Sequence, residues 1–266
     1  MTAARAPERP ETAIADASNA VSFECNLCGT HNAVARERLA REIPSCAQCG
    51  STVRWRATVH LVCKSLLHCD AVIPRTAPRR ELSGVGLSDD ACVARALSSV
   101  FDYSNTFYDT APQLDIMRLP DDLVGRYDFV SASDVFEHIV PPVELAFANA
   151  RRLLKPGGVL VFSVPFTLEP DTVEHFPELH EFRLIEQDGK WRLHNRTRDG
   201  REQEFDDLIF HGGPGSTLEM RVFSRAALER HFARAGFQDV RFAAETCERF
   251  GIVWPEPWSI PVVARA

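Results

Sequence analysis

The sequence predicts an α/β fold: an open, largely parallel sheet with a small four-cysteine metal ribbon in front of it. Three observations carry this. Residues 127–166 read as strand, helix, strand, the pattern of a right-handed crossover between parallel strands. Residues 224–263 read as a helix, a glycine stop and short apolar runs that can close a sheet. Near the N-terminus, Cys25-x-x-Cys28-Gly and Cys46-x-x-Cys49-Gly are separated by 17 residues, within the range of a four-cysteine zinc site. The composition agrees: of 266 residues, 45% are hydrophobic and 25% charged, which excludes wholesale disorder and fibrous classes.

The elements follow in order. Residues 1–20, rich in Ala, Pro, Glu and Thr, read as a disordered leader. Residues 21–52 read as the ribbon, whose fold a closed tetrahedron of thiolates would support, a structural and not a catalytic site. Disulfides or a redox pair are the alternatives; the lack of a signal peptide and the matched knuckles argue against them. Trp55, Val59, Val62, Leu66 and Cys69 recur at helical spacing and predict a helix over 52–69, opening a body over 53–266. A short apolar run, Leu82-Ser-Gly-Val-Gly-Leu, precedes Ser88-Asp89, and helical spacing resumes over 90–100. Asn105–Tyr108 reads as a strand. Phe129–Ala132 is a buried strand, Pro141-Pro142 opens a helix, and Lys155-Pro-Gly-Gly158 stops it before an apolar strand at 159–164. Residues 181–205 look like hairpins built on Asp188-Gly189 and Asp199-Gly200, an insertion in which Trp191 is either a stacking platform or an exposed aromatic. Ser224 can cap the last helix and Gly236 can end it.

Charge and hydropathy bound the partners. Residues 21–80 carry a net charge of +5 and residues 81–266 a net of −11. No run approaches the ~18–20 apolar residues that span a bilayer, and no apolar signal core is present. The expectation is a cytoplasmic protein with no membrane partner. Cys63, Cys69, Cys92 and Cys247 show no ligand spacing and read as small buried hydrophobes.

Tyr127-Asp-Phe-Val130, Asp134-Val-Phe-Glu137-His138, Leu153-Leu-Lys-Pro-Gly-Gly158 and the closing Ala235-Gly-Phe237 resemble the class I S-adenosylmethionine (SAM)-dependent methyltransferases, type 11-like, over roughly residues 80–266. The resemblance implies a Rossmann-like sheet of seven strands, parallel with an antiparallel closing hairpin, and a cofactor lying across the carboxyl ends of its first half. It places Gly84, Gly86, Ser88, Asp89, Asp115, Asp134, Glu137 and His138 around SAM. The family's glycine loop is degenerate here. Ser83–Asp89 can be read as the first strand, without the third glycine and the preceding acid, or as the second, with Gly86 in place of the ribose-binding acid. The 51 residues from Gly86 to Glu137 favour the second-strand register, with Asp115 as the acid near the adenine.

Loops at carboxyl ends of parallel strands carry chemistry. Three segments hold candidates, the third because a Gly-rich stretch before a helix allows close backbone approach to a ligand. Glu137-His138 follows the strand at 129–132. Glu174-His175, with His180 nearby, lies beyond the strand at 159–164. His211 precedes Gly212, Gly213 and Gly215, and Glu219 and Arg221 follow. His175 and His211 are candidate general bases; Glu174, Glu219 and Arg221 are candidate substrate residues. Three functions compete. The first is methyl transfer from SAM to a small molecule, sugar or glycan-linked acceptor. The second is RNA methylation, with Arg36, Arg38, Arg41, Arg54 and Arg56 on phosphate. The third is a non-methylating binding protein or repurposed enzyme on the same fold, supported by the degenerate glycine loop. Oligomeric state is not legible in the sequence.

Overall fold

The structure, a computed structural model, describes residues 19–266; the expectation of a disordered leader falls, but for Asn19 and Ala20, outside them. An antiparallel pair, β1 (Ala20–Glu24) and β2 (His31–Ala35), frames the first knuckle. The second knuckle leads into α1 (Val53–Leu67), whose first turn is capped by the Thr52 hydroxyl accepting from Trp55 N at 3.3 Å. The body then runs β3 (Arg79–Leu87), α2 (Ala91–Val100), β4 (Phe101–Thr106), β5 (Tyr127–Ser133), α3 (Glu144–Leu153) and β6 (Leu154–Ser163). Short strands β7 (Phe166–Thr167) and β8 (Val173–Glu174) precede a meander of β9 (Glu181–Gln187), β10 (Lys190–Arg196) and β11 (Glu202–Phe205). After β12 (Phe210–His211), β13 (Thr217–Leu218) and β14 (Arg221–Ser224), α4 (Arg225–Arg234) leads to β15 (Gln238–Phe242) and β16 (Val262–Arg265).

Six strands form the central sheet in the order β15-β16-β6-β5-β3-β4. β4, β3, β5 and β6 are parallel; β16 runs antiparallel to β6 and to β15, the closing hairpin the sequence predicts. Alternation along each strand feeds two layers. Phe129, Val159, Val161 and Val263 pack with α1 and α2 on one face. Val130, Leu160, Phe162 and Val262 pack with α3 and α4 on the other. The ribbon shares the first layer: Phe23, Leu27 and Leu39 belong to the same buried cluster as Val59, Val62, Phe250 and Ile252.

Two expectations are corrected. β3 lies between β4 and β5 and is followed by α2 and then by the edge strand, so Ser83–Asp89 belongs to the first strand and not the second. The sheet has six strands and not seven: the third in chain order, after β3 and β4, is reduced to a single parallel bridge, Phe107 to Gln113. Gly251-Ile-Val-Trp254 likewise contributes one bridge, Cys247 to Ile252, and no strand. Elsewhere boundaries move by a few residues: the strand read at 105–108 is β4, and the Lys155–Gly158 stop is absorbed into the start of β6.

The two glycines of β3 serve packing. A Cβ on Gly84 would stand 2.1 Å from the Phe129 ring, and one on Gly86 would stand 1.8 Å from the Tyr103 hydroxyl. Neither is an open cradle for a ligand. Gly84→Ala therefore overpacks the sheet and should destabilise the fold by about 1–3 kcal/mol in urea unfolding, with the denaturant dependence unchanged.

Candidate active site

The four knuckle cysteines converge. Their sulfurs all lie within 4.8 Å of one another, with Cys25 to Cys49 at 3.6 Å and Cys28 to Cys46 at 3.5 Å. A tetrahedral thiolate site with bonds of about 2.3 Å has edges of about 3.8 Å, so the geometry suits one metal ion and not two disulfides. Beneath it lies Arg56, fully buried at 0% exposure. Its guanidinium donates to Ser51 O at 2.8 Å, Phe250 O at 2.8 Å and Gly251 O at 3.0 Å, and stacks over Phe23 at 4.5 Å. Burial pulls its pKa down and the four cysteines oppose that pull. Of the remaining cysteines, Cys63 is buried, with its thiol pushed up to about 12 by burial, and Cys92 donates to Cys49 O at 3.3 Å; Cys69 is exposed, against expectation.

In an open α/β sheet the ligand crevice opens at the carboxyl ends of the strands where the order reverses, here between β3 and β5. Ser88 and Asp134 close those two strands in left-handed conformations, at φ 58° and 56°. Behind Ser88, the buried Asp89 accepts from the hydroxyls of Tyr103, at 2.7 Å, and Ser131, while the Asn105 side chain holds Asp89's own N–H and C=O. Burial pushes the Asp89 carboxyl up, and its bonds to Ser131 and Tyr103 oppose this. In front, two arginines reach over from the N-terminal module. Arg41 grips Asp134 bidentately at 2.9 and 2.6 Å and approaches the Ser163 hydroxyl at 3.4 Å. Arg54, in the first turn of α1, donates to the Ser133 hydroxyl at 3.0 Å and pairs with Glu42 at 2.8 Å and Asp134 at 3.3 Å.

The turn after Asp134 joins this crevice to a second group of side chains. Glu137 is 3% exposed, and its Oε2 has no hydrogen-bond partner. Burial first, then the Asp134 charge, pushes its carboxyl up to about 8. Its backbone C=O accepts from Met220 N at 2.8 Å. His138 Nδ1 donates to Leu218 O at 3.0 Å, and burial lowers its pKa. On the same segment Glu219 holds two imidazoles: His175 Nε2 at 2.9 Å on one oxygen and His211 Nε2 at 2.8 Å on the other. His138 and His211 meet edge to face at 5.1 Å.

Sequence candidates drawn from segments more than 80 residues apart thus meet: Glu137, His138, His175, His211 and Glu219 form one cluster beside Asp134. Others do not. Arg221 is buried, with Nε on Glu174 at 2.8 Å and Nη1 on the Phe136 and Ile139 carbonyls at 3.1 and 2.6 Å, so Glu174 is its ion-pair partner. Glu219 and Arg221 do not pair with each other: Glu219 holds His175 and His211, and Arg221 holds Glu174. His180 is exposed, outside the cluster. Asp115 caps a turn by accepting from Met117 N at 2.9 Å. Trp191 is half-buried, with Gly215 against its ring, where a Cβ would come within 2.3 Å. Three of the five arginines read as phosphate contacts, Arg41, Arg54 and Arg56, are occupied inside the protein. The sequence singles out Arg41 and Arg54 only as phosphate contacts; nothing in their spacing marks their reach to Asp134 and Ser133.

The sequence pattern of the methyltransferase-domain family matches residues 88–241, more than half of the chain. The chain belongs to this methyltransferase family. No curated protein matches it by sequence. Among solved structures it is similar to the amino pentose methyltransferase CalS10 of Micromonospora echinaspora, at 14% identity over 82% of this chain and 93% of that one, with a TM-score of 0.46. It is also similar to the sugar N-methyltransferase KedS8 of a Streptoalloteichus species, at 12% identity over 82% and 88%, TM-score 0.46. With the CurJ carbon methyltransferase the identity is 15% over 81% of this chain, and the chain spans 55% of that protein, TM-score 0.46. No helix among the described residues is long and apolar enough to cross a membrane.

The family implies SAM. Both Nη atoms of Arg41 are held, by Asp134 and Glu42, while Arg41 Nε is a buried donor without a partner and Glu137 Oε2 a buried acceptor without one. The crevice lacks the glycine cradle, since Tyr103 and Asp89 fill the space over Gly86. The raised carboxyl has a consequence for stability. Between its ordinary 4.5 and about 8, Glu137 binds a proton in the folded chain that the unfolded chain has released. The unfolded state binds fewer protons there, so stability falls as pH rises through that window. Glu137→Gln should flatten this fall, read as a smaller drop in Tm between about pH 5 and about pH 8.

Proposed function

We propose that the protein transfers a methyl group from SAM to a nucleophilic oxygen or nitrogen of a small-molecule or sugar acceptor, and that the His175–Glu219–His211 group provides the base. The observation that carries this reading is that one carboxylate holds two imidazoles beside the turn that closes the switch-point crevice. SAM, when bound, supplies an electrophilic methyl on a sulfonium. The chain's own part is to orient the acceptor and remove its proton. An ionised Glu219 accepts from Nε2–H of each ring, which leaves each Nδ1 as a lone pair able to take a proton. The same carboxylate then stabilises the imidazolium that forms. His211, with its side chain 50% exposed, is the ring an entering acceptor meets; His175, at 22%, lies deeper. Ser88 and Asp89 at the end of β3, and Asp134, Glu137 and His138 after β5, border the cofactor in this reading. Asp109, just past the second strand, takes the ribose hydroxyls, and Asp115 stays near the adenine.

The test is methyl transfer from methyl-labelled SAM to a panel of free and nucleotide-linked sugars and amino sugars. Label in an acceptor supports the reading, and its absence across the panel, with no calorimetric binding of SAM, overturns it. With an acceptor in hand, His211→Ala and His175→Ala should each lower kcat about 10²-fold, the ordinary size of a lost base, with SAM affinity unchanged. Unchanged turnover in both removes the base assignment.

The metal is proposed to be Zn2+, held by Cys25, Cys28, Cys46 and Cys49 with no position left for substrate. Metal analysis of the purified chain should give one zinc per chain. Chelation should release it together with a loss of Tm, because the ribbon shares its buried cluster with α1.

A further inference from the structure

We propose that Arg41 and Arg54 are positioning residues of the transferase: the metal ribbon and the start of α1 hold Asp134, and through it the turn Phe136–His138 that the crevice and the histidine cluster share. The inference rests on the function proposed above. It gives the N-terminal module a part in the reaction that needs no contact with SAM or acceptor.

Its basis is a closed ring of charge. Arg41 holds Asp134 at 2.9 and 2.6 Å, Arg54 reaches the same carboxylate at 3.3 Å, and Glu42 pairs with both guanidiniums, at 2.8 Å from Arg54. Two cations and two carboxylates alternate, so the ring is neutral without a further ion. Two hydroxyls tie it to the ends of the strands. Arg54 donates to Ser133 at 3.0 Å, Arg41 approaches Ser163 at 3.4 Å, and the two hydroxyls lie 2.7 Å apart. Both arginine side chains are largely buried, at 8% and 18% exposure, so water screens the ring less than it screens a surface pair.

Asp134 needs such a hold. It closes β5 in the left-handed region, at φ 56°, where a residue with a side chain is strained and stays only if its surroundings fix it. One backbone bond helps, from Asp134 N to Ser163 O at 2.8 Å. The ring fixes the side chain from a separate module. The turn begins two residues later, and there Glu137 O accepts from Met220 N and His138 Nδ1 donates to Leu218 O. The conformation of Asp134 therefore sets where the turn meets the segment that carries Glu219. Arg221 ties the carbonyls of Phe136 and Ile139, while the arginines of the ribbon side tie Asp134 itself.

Hydrogen exchange on the full chain reads the hold directly. The amides of Asp134, His138 and Ile139 are bonded to Ser163 O, Val135 O and Phe136 O. Arg41→Met and Arg54→Gln should each speed their exchange by about 10-fold, while the amides of β10, in the meander, keep their rates. Arg41→Lys keeps a charged contact to Asp134 and should fall in between; it serves if the methionine variant does not fold. A double-mutant cycle on S-adenosylhomocysteine binding, by calorimetry, separates positioning from a general loss of structure. Arg41→Met and Asp134→Asn should each weaken binding by about 10-fold, and the double variant by no more than the stronger single, because Arg41 acts through Asp134. Arg38→Gln, an exposed site in the same loop, should change neither readout. Unchanged exchange of the turn in the Arg41 and Arg54 variants, unchanged affinity in Arg41→Met, or additive losses in the cycle overturns the proposal. If the unaltered chain binds neither SAM nor S-adenosylhomocysteine, the proposed function falls, and the exchange rates still decide whether the ribbon holds the turn.

Discussion

Four sulfurs within 4.8 Å of one another and one buried guanidinium beneath them fix where the N-terminal module sits. Thiolates so close repel unless a cation lies among them, and the surplus charge of a four-thiolate site on a divalent ion still needs a counter-charge. Arg56 is placed to provide it, and burial of so large a side chain is tolerable because Ser51 O, Phe250 O and Gly251 O accept from it. Those three carbonyls belong to the second knuckle and to the segment before β16. The guanidinium thus joins both ends of the chain. Gly251 permits this, since a Cβ there would stand 2.6 Å from the Phe23 ring that Arg56 covers. The first turn of α1 follows from that anchorage, and with it the reach of Arg54 and Arg41 to the crevice.

What the sequence made legible divides along physical lines. Where burial on both faces of a strand or one face of a helix dictates residue type, the reading holds: β5, α3, β6, the Ser224-capped α4 and the meander turning at Asp188-Gly189 and Gly200 were all visible. The cysteine knuckles were visible because metal chemistry demands a spacing. The reach of Arg41 and Arg54 to the crevice was not, because an arginine that crosses to another element carries no local signature. Its partner, Asp134, lies 93 residues away from Arg41. The candidate cluster is an intermediate case: His175, His211 and Glu219 were each singled out from loop position alone, while their sharing of one carboxylate required the fold.

The displaced register has a cause. Spacing measures position in a sheet only when the elements in between are intact. Here the third strand has shrunk to the Phe107–Gln113 bridge, and the five residues between those two leave no room for a crossover helix. The distance from Gly86 to Glu137 is therefore short for a first strand and resembles that of a second. The glycines misled for a related reason. Gly84 and Gly86 are required by Phe129, Tyr103 and Asp89 within the sheet, and backbone that approaches a side chain demands the same missing Cβ as backbone that approaches a ligand.

The crevice and the histidine cluster share one short turn, and that turn is tied on several sides. Phe136–His138 follows Asp134 directly, so whatever binds at the crevice touches one side of it. On the other side Met220 N and His138 Nδ1 tie it to the segment that carries Glu219. Arg221 locks it from beneath through the Phe136 and Ile139 carbonyls, and its remaining partner, Glu174, is the neighbour of His175. A displacement of the turn would move Asp134 and the carboxylate that holds both imidazoles together. In-line transfer of a methyl group demands that donor and acceptor be aligned to within a fraction of an ångström. A single buried arginine that ties Glu174 to the Phe136 and Ile139 carbonyls holds both sides of the turn in one frame.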